Sequence, residues 1–260
     1  MQECVKWCAI GDSFTYLDSH LDETGYRVEK GYLTRTAEKL GFPVKLYNLG
    51  INGSSTSDWI DEPLLPADLY TILLGTNDWH SGRTPLGTAK DYQEAKTGSI
   101  LGNLGKIVRN IRALSPKAPV IVMNPVERGD FIYLEDHTNN AQGSYAPVNS
   151  LWLSEVAEAI IDAVKGERIY TLDLHSLAGF TPENVVHFKR VRKDGKILKL
   201  PYPEYVGVLC DLETDPYPYP KAAVYMTYDG LHPSDMGSEK IAELLSDKIK
   251  EVMEVCDAVY

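Results

Sequence analysis

Three short segments hold side chains that complement one another chemically. Gly11-Asp12-Ser13-Phe14-Thr15 offers a hydroxyl, Asn48-Leu49-Gly50-Ile51-Asn52-Gly53-Ser54 offers flexible glycine amides, and Gly75-Thr76-Asn77-Asp78 offers a carboxamide. A nucleophile together with donors for a developing oxyanion suits acyl transfer. A serine nucleophile also needs a base. Of the histidines at 20, 80, 137, 175, 187 and 232, only His232 has an aspartate three residues before it, in Asp229-Gly230-Leu231-His232-Pro233. In a tight turn that spacing returns the carboxylate to Nδ1 of the imidazole. There it fixes the tautomer and stabilises the imidazolium formed when the serine proton is taken. Asp12 and Asp78 read as acceptors for loop amides rather than as an acid–base pair. Trp79 and His80 follow the third segment directly and are candidates for lining the acyl or alcohol side of a cleft. His20, His137, His175 and His187 read as ordinary surface or core residues.

Competing signatures fail. Ser13 has Thr15, and Ser55 has Ser57, where a Gly-x-Ser-x-Gly elbow needs its second glycine. Gly105-Lys106 is followed by Ile107 rather than Ser or Thr, and neither Gly-x-Gly-x-x-Gly nor His-Glu-x-x-His occurs. The chemistry expected here uses no metal and no cofactor.

The elements that must position these residues follow from hydrophobic patterning. Val5–Ile10, Val44–Leu49, Leu69–Leu74, Val120–Met123 and Ile169–Leu172 are short apolar runs that read as five strands. Leu33–Leu40, Tyr92–Leu114, Val148–Val164 (with Asn149 or Ser150 near its cap) and Ser238–Val255 have helical spacing. Continuous apolar strands separated by helices imply a parallel sheet covered on both faces. The expected fold is a three-layer, doubly wound α/β sandwich, flavodoxin-like, with a mainly parallel five-stranded sheet. In such a sheet the site forms outside the carboxyl ends of the strands, where the first three segments fall. The Asp229–His232 segment directly precedes the last helix and can reach the same edge.

Residues 181–228 break the rhythm. Lys193-Asp194-Gly195-Lys196 is a hairpin turn between Val186–Val191 and Ile197–Leu200. Beyond it, Pro201, Pro203, Pro216, Pro218 and Pro220 interleave with Tyr202, Tyr205, Tyr217 and Tyr219. The segment reads as an insertion in a single domain spanning 1–260. Its tyrosines suit stacking against sugar rings, or stiffening of a long loop.

Gly11-Asp12-Ser13, Gly53, Gly75-Thr76-Asn77-Asp78 and Asp229-x-x-His232 together resemble the SGNH, or GDSL, hydrolase family in order and placement, over almost the whole chain. The resemblance implies Ser13 as nucleophile, with His232 and Asp229 completing a triad. It also implies an oxyanion hole from the Ser13 amide, the Gly53 amide and the Asn77 side chain. Gly53 stands five residues after Asn48, as the family pattern has it, and Gly50 is its competitor. Phe14 replaces the leucine of the name-giving motif and is expected to pack inward.

Acids outnumber bases 37 to 26, giving a net charge of −11 over 260 residues. That balance disfavours nucleic acid and anionic membrane surfaces as partners. No apolar run approaches the roughly 18 residues of a membrane span. The opening Met-Gln-Glu-Cys-Val-Lys-Trp-Cys lacks the pattern of a signal peptide, which points to a cytoplasmic protein, with a processed exported form as the alternative. Cys4, Cys8, Cys210 and Cys256 read as buried thiols rather than a disulfide framework. The expected activity is a serine esterase acting on small acyl esters, acetyl above all, of carbohydrates. A lipid or thioester acyl hydrolase is the main alternative. A non-catalytic glycan-binding module is a weaker one, because Ser13, Asp229 and His232 are all intact.

Overall fold

The computed structural model describes residues 4–133, 138, 140–185, 188–209, 213 and 225–257. Five strands, β1 (Val5–Gly11), β2 (Val44–Asn48), β3 (Leu69–Leu73), β4 (Val120–Met123) and a later Ile169–Leu172, pair in parallel, with Ile169–Leu172 on the edge beside β4 and β2 on the other edge. The register pairs Ala9 with Asn48, Gly11 with Leu73, Leu73 with Met123 and Met123 with Leu172. The carboxyl ends therefore line up, and residues 12–15, 49–54, 74–78 and 124–128 leave one edge together.

Alternation along the strands divides the core into two layers, as the twofold strand repeat requires. Trp7, Ala9, Leu69, Leu73, Ile121 and Met123 face one side, against Leu33 and Leu40 of α2 (Tyr32–Leu40) and Leu245 and Ile249 of the last helix, Asp235–Asp257. Cys8, Ile10, Tyr70, Ile72, Val120 and Val122 face the other, against the helices Ile100–Leu114 and Leu153–Ala163. Before α2, Ser13–Tyr16 forms a single helical turn, α1, directly after β1.

Between β3 and β4 lie α3 (Thr76–Ser81), α4 (Ala89–Glu94) and α5 (Ile100–Leu114). The single helix expected over Tyr92–Leu114 is thus two. Ala95 and Gly98 adopt positive φ of 51° and 104°, and the Ser99 hydroxyl caps α5 by accepting from the Gly102 amide at 3.2 Å. The periodicity carries across a break that local capping imposes. After β4 a small antiparallel pair, β5 (Phe131–Ile132) and β6 (Asn140–Ala141), leads to α6 (Leu153–Ala163). This helix starts later than Val148. Asn149 and Ser150 both take positive φ in a tight turn that bridges Val148 to Leu151, and the cap is Trp152, whose amide donates to Glu155 at 2.7 Å.

The strand β7 (Ile169–Leu172), the short α7 (Leu174–Leu177) and the hairpin β8 (Phe188–Lys193)–β9 (Lys196–Pro201) follow, and α8 (Asp235–Asp257) closes the chain. Asp194 and Gly195, at φ of 52° and 73°, make the predicted two-residue turn. Val186, Pro216, Tyr217, Pro218, Tyr219 and Pro220 lie outside the described residues. Tyr205 is not an exposed platform. It is buried with Phe188 in a small core of its own, against Tyr202 and beneath the Lys189 ammonium. Of the cysteines, Cys8 is buried, with its thiol pushed up to about 12 by burial, whereas Cys4 is exposed. Cys210 lies outside the described residues.

Two ties hold the carboxyl edge. Arg35 of α2 pairs with Asp235 and, at 3.2 Å, with Glu239, which fixes the start of α8 just beyond the Asp229–His232 loop. Asp130, fully buried, accepts from the Gly143 amide at 3.0 Å, the Gly207 amide at 2.7 Å and the Lys189 ammonium at 3.4 Å. The hairpin is thereby keyed to the loop after β4. No helix among the described residues is long and apolar enough to cross a membrane.

Candidate active site

Ser13, the first residue of α1, lies in the turn leaving β1, and Asp12 caps α1 by accepting from the Phe14 amide at 3.0 Å. Phe14 turns inward, 7% exposed, and its ring stands 5.9 Å from the His232 imidazole. The loop carrying His232 is closed by a bridge between Thr227 and Pro233 and by the Tyr228 amide donating to the His232 carbonyl at 3.0 Å. Asp229 shapes its interior. One carboxylate oxygen accepts from the Leu231 amide at 2.9 Å and the His232 amide at 2.7 Å, and the other faces His232 Nδ1 at 2.5 Å. An ionised carboxylate only accepts, so Nδ1 carries the proton and Nε2 is left as an acceptor. Nε2 lies 2.8 Å from Ser13 Oγ, across 219 residues of sequence. Phe131 stands edge-on to the imidazole at 5.5 Å, and Tyr228 stacks on it at 5.8 Å. Ser13, Asp229 and His232 are all buried.

The donors expected for an oxyanion lie in loops that leave the same edge of the sheet as Ser13. Gly50 cannot carry a side chain, because a Cβ there would meet the Tyr16 amide nitrogen at 2.2 Å, and its own amide donates to Asn48 Oδ1 at 2.9 Å. Gly53, at φ 73°, is exposed, and its amide has no hydrogen-bond partner among the described residues. Of the two glycines, Gly53 is the one with a donor to offer. The Asn77 carboxamide donates one N–H to the Ser54 carbonyl at 2.9 Å, which orients the group and leaves its second N–H. The loop is held to the turn that carries Ser13 by the Ile51 amide on the Gly11 carbonyl at 3.0 Å.

The carboxylates beside the site act structurally. Asp78 accepts from the Thr56 amide at 2.9 Å and hydroxyl at 2.7 Å. Burial raises the pKa of Asp78, and raises that of Asp12 to about 7. Trp79 does not line a cleft: it is 1% exposed, and its indole donates to the Leu151 carbonyl at 2.8 Å. His80 is partly buried, and burial with the nearby Arg128 lowers its pKa to about 4. His20 stacks on Tyr16, and His175 is tied to Glu127 at 3.2 Å, while His137 and His187 lie outside the described residues.

Arg128, Phe131 and Tyr228 belong to this neighbourhood and carried no motif. Applying the strand-end argument to β4 as well as to the first three strands would have reached Arg128.

The chain matches the family model described as GDSL-like Lipase/Acylhydrolase family over residues 9–240. The chain belongs to this family. The GDSL-like acylhydrolases are ester hydrolases, and the five-stranded parallel sheet flanked by helices is their α/β fold. A crystal structure described as "a possible lipase from Chitinophaga pinensis DSM 2588" is 42% identical, with a TM-score of 0.88, covering 95% of this chain and 98% of that one. A carbohydrate esterase family 3 protein from Talaromyces cellulolyticus shares the fold at 17% identity and a TM-score of 0.50, covering 98% of this chain and 100% of that one. Among curated proteins none matches the sequence.

Proposed function

We propose that this GDSL-like acylhydrolase is a serine esterase that removes small acyl groups, acetyl above all, from carbohydrates. The observation that carries the catalytic part is the unbroken chain from Ser13 Oγ to His232 Nε2 at 2.8 Å and from Nδ1 to Asp229 at 2.5 Å. His232 takes the Ser13 proton as Oγ attacks the ester carbonyl carbon. The amides of Ser13 and Gly53 and the second N–H of Asn77 hold the resulting oxyanion. Collapse breaks the ester C–O bond, and the imidazolium gives its proton to the leaving alcohol. Water, deprotonated by His232, then attacks the acyl-Ser13 ester, releasing the acid and restoring the hydroxyl. Asp229 keeps its charge throughout and stabilises the imidazolium.

A short acyl group is supported by the space beside the triad. The cavities bordered by Phe14, Tyr228 and His232, and by Asp12, Phe14 and Val126, are small, about 20 and 10 Å³, so the surround of the imidazole is closely packed. A sugar as the alcohol is supported by Tyr133, 37% exposed and edge-to-face with Phe131, which borders the imidazole. The test is a nitrophenyl ester series with Ser13→Ala as control. We expect the acetate to be the best substrate, fluorophosphonate to label Ser13, and Ser13→Ala to be inactive with an unchanged unfolding temperature. An optimum at eight carbons or more favours a lipid or thioester hydrolase. Absence of labelling in the wild type favours a non-catalytic glycan binder.

A further inference from the structure

Arg128 follows β4 and is 1% exposed, yet none of its Nε, Nη1 and Nη2 has a hydrogen-bond partner among the described residues. A guanidinium carries five N–H donors in a rigid fork. Leaving such donors buried and unanswered is strongly unfavourable. Burial disfavours the charge and lowers the Arg128 pKa, while Tyr133, Asp229, Asp12 and Asp130 act on it electrostatically in the opposite sense; the three carboxyl groups are 3%, 2% and 0% exposed. The Trp79 ring lies 6.0 Å from the guanidinium carbon and gives it a flat apolar floor.

A second unanswered group stands beside the first. His80 Nδ1 is buried and has no partner among the described residues. Burial and the neighbouring Arg128 favour the neutral imidazole, so this nitrogen either donates or accepts. His80 is three residues beyond Asn77 on α3, and so shares the helix face that carries the oxyanion carboxamide. Its ring is only partly buried, and Arg128 is close enough to act on it electrostatically.

We infer that Arg128 and His80 form a polar subsite for a neutral, oxygen-rich portion of the substrate, such as the neighbouring hydroxyls of a sugar. The inference deepens the esterase reading above and rests on it. Charge balance selects the ligand class. An anion would add negative charge beside the buried Asp229 and Asp130 carboxylates, whereas hydroxyl oxygens supply acceptors for the fork and add none. Two adjacent hydroxyls also match the fork's paired donors.

The experiment compares three substrates: 2-O-acetyl methyl β-D-xylopyranoside, 4-nitrophenyl acetate and 4-acetoxybenzoate. Arg128→Lys keeps the charge and drops the fork, and His80→Phe keeps a ring and drops the nitrogens. We expect each variant to raise KM for the xyloside acetate and to lower its kcat/KM at least tenfold more than that for 4-nitrophenyl acetate. We also expect methyl β-D-xylopyranoside to raise the unfolding temperature of Ser13→Ala but not of Ser13→Ala/Arg128→Lys. Equal losses on all three substrates overturn the inference and leave the esterase reading standing. A selective loss on 4-acetoxybenzoate overturns it in favour of an anionic ligand. Wild-type inactivity on 4-nitrophenyl acetate removes the esterase reading before any variant is compared, and the xyloside shift, which needs no turnover, still decides the subsite. Should Arg128→Lys fail to fold, His80→Phe carries the comparison.

Discussion

At the carboxyl edge of the sheet, loops from β1, β2, β3 and β4 and the loop before α8 come together, and two cavities there, both bordered by Phe14, hold about 20 and 10 Å³. At the amino edge lies a far roomier cavity of about 520 Å³, lined by residues such as Lys6, Asp68, Ser115 and Lys117. Ser115, its one hydroxyl, bonds to the Tyr70 hydroxyl at 2.9 Å, and no imidazole lines the space. Volume therefore does not locate the chemistry. The small edge holds a directed proton path and donors with hydrogens still to give, whereas the roomy edge holds polar groups that answer one another.

The contrast can be broken in stages. The largest effect is expected from Asp229→Asn, which removes the partner that fixes the imidazole tautomer. Turnover of 4-nitrophenyl acetate should fall by roughly 10⁴, as a carboxamide in that position does in serine hydrolases. A loss under tenfold would show that the carboxylate does not govern His232. Next is Asn77→Ala, with an expected loss of about 10²–10³ in kcat and little change in KM, the cost of one oxyanion donor. A change confined to KM would make Asn77 a ground-state contact instead.

Asp12→Asn tests the electrostatics beside Ser13, the proposed nucleophile. Burial raises the Asp12 pKa to about 7, so the folded protein keeps a proton that the unfolded chain has already released above the ordinary aspartate range. Its contribution to stability is full below that range and is lost as pH rises through about 7. Urea unfolding at pH 5 and pH 8 should show the wild type losing more stability over that interval than Asp12→Asn. Parallel losses would mean that Asp12 stays ionised. The smallest effect belongs to the other edge. Lys117→Ala should leave esterase rates within about twofold, since exposed positions away from the chemistry rarely matter. A larger fall would connect the amino-edge cavity to catalysis.

Much of this arrangement was legible in the residues. The five strands are continuous apolar runs, and a run of that kind has only one common home, the middle of a covered parallel sheet. The Asp229–His232 spacing likewise foretold the hydrogen-bonded loop. The break at Ala95–Ser99 was not legible, because α4 and α5 lie on the same side of the sheet and share one hydrophobic repeat. Trp79 was misplaced for a similar reason. Its position beside Asn77 suggested a cleft, but on α3 neighbouring side chains point to different faces, and the indole enters the core. The end of β4 pointed toward Arg128's position, but its want of partners was not legible, because partners exist only once the chain is folded.

The contact between Ser13 and His232 has a consequence for synthesis. Ser13, the proposed nucleophile, is made 219 residues before His232, its proposed base. While the chain is still being made, the serine has no imidazole to take its proton. On the proposed mechanism the nascent protein cleaves esters only once the loop before α8 has emerged and docked beside Ser13.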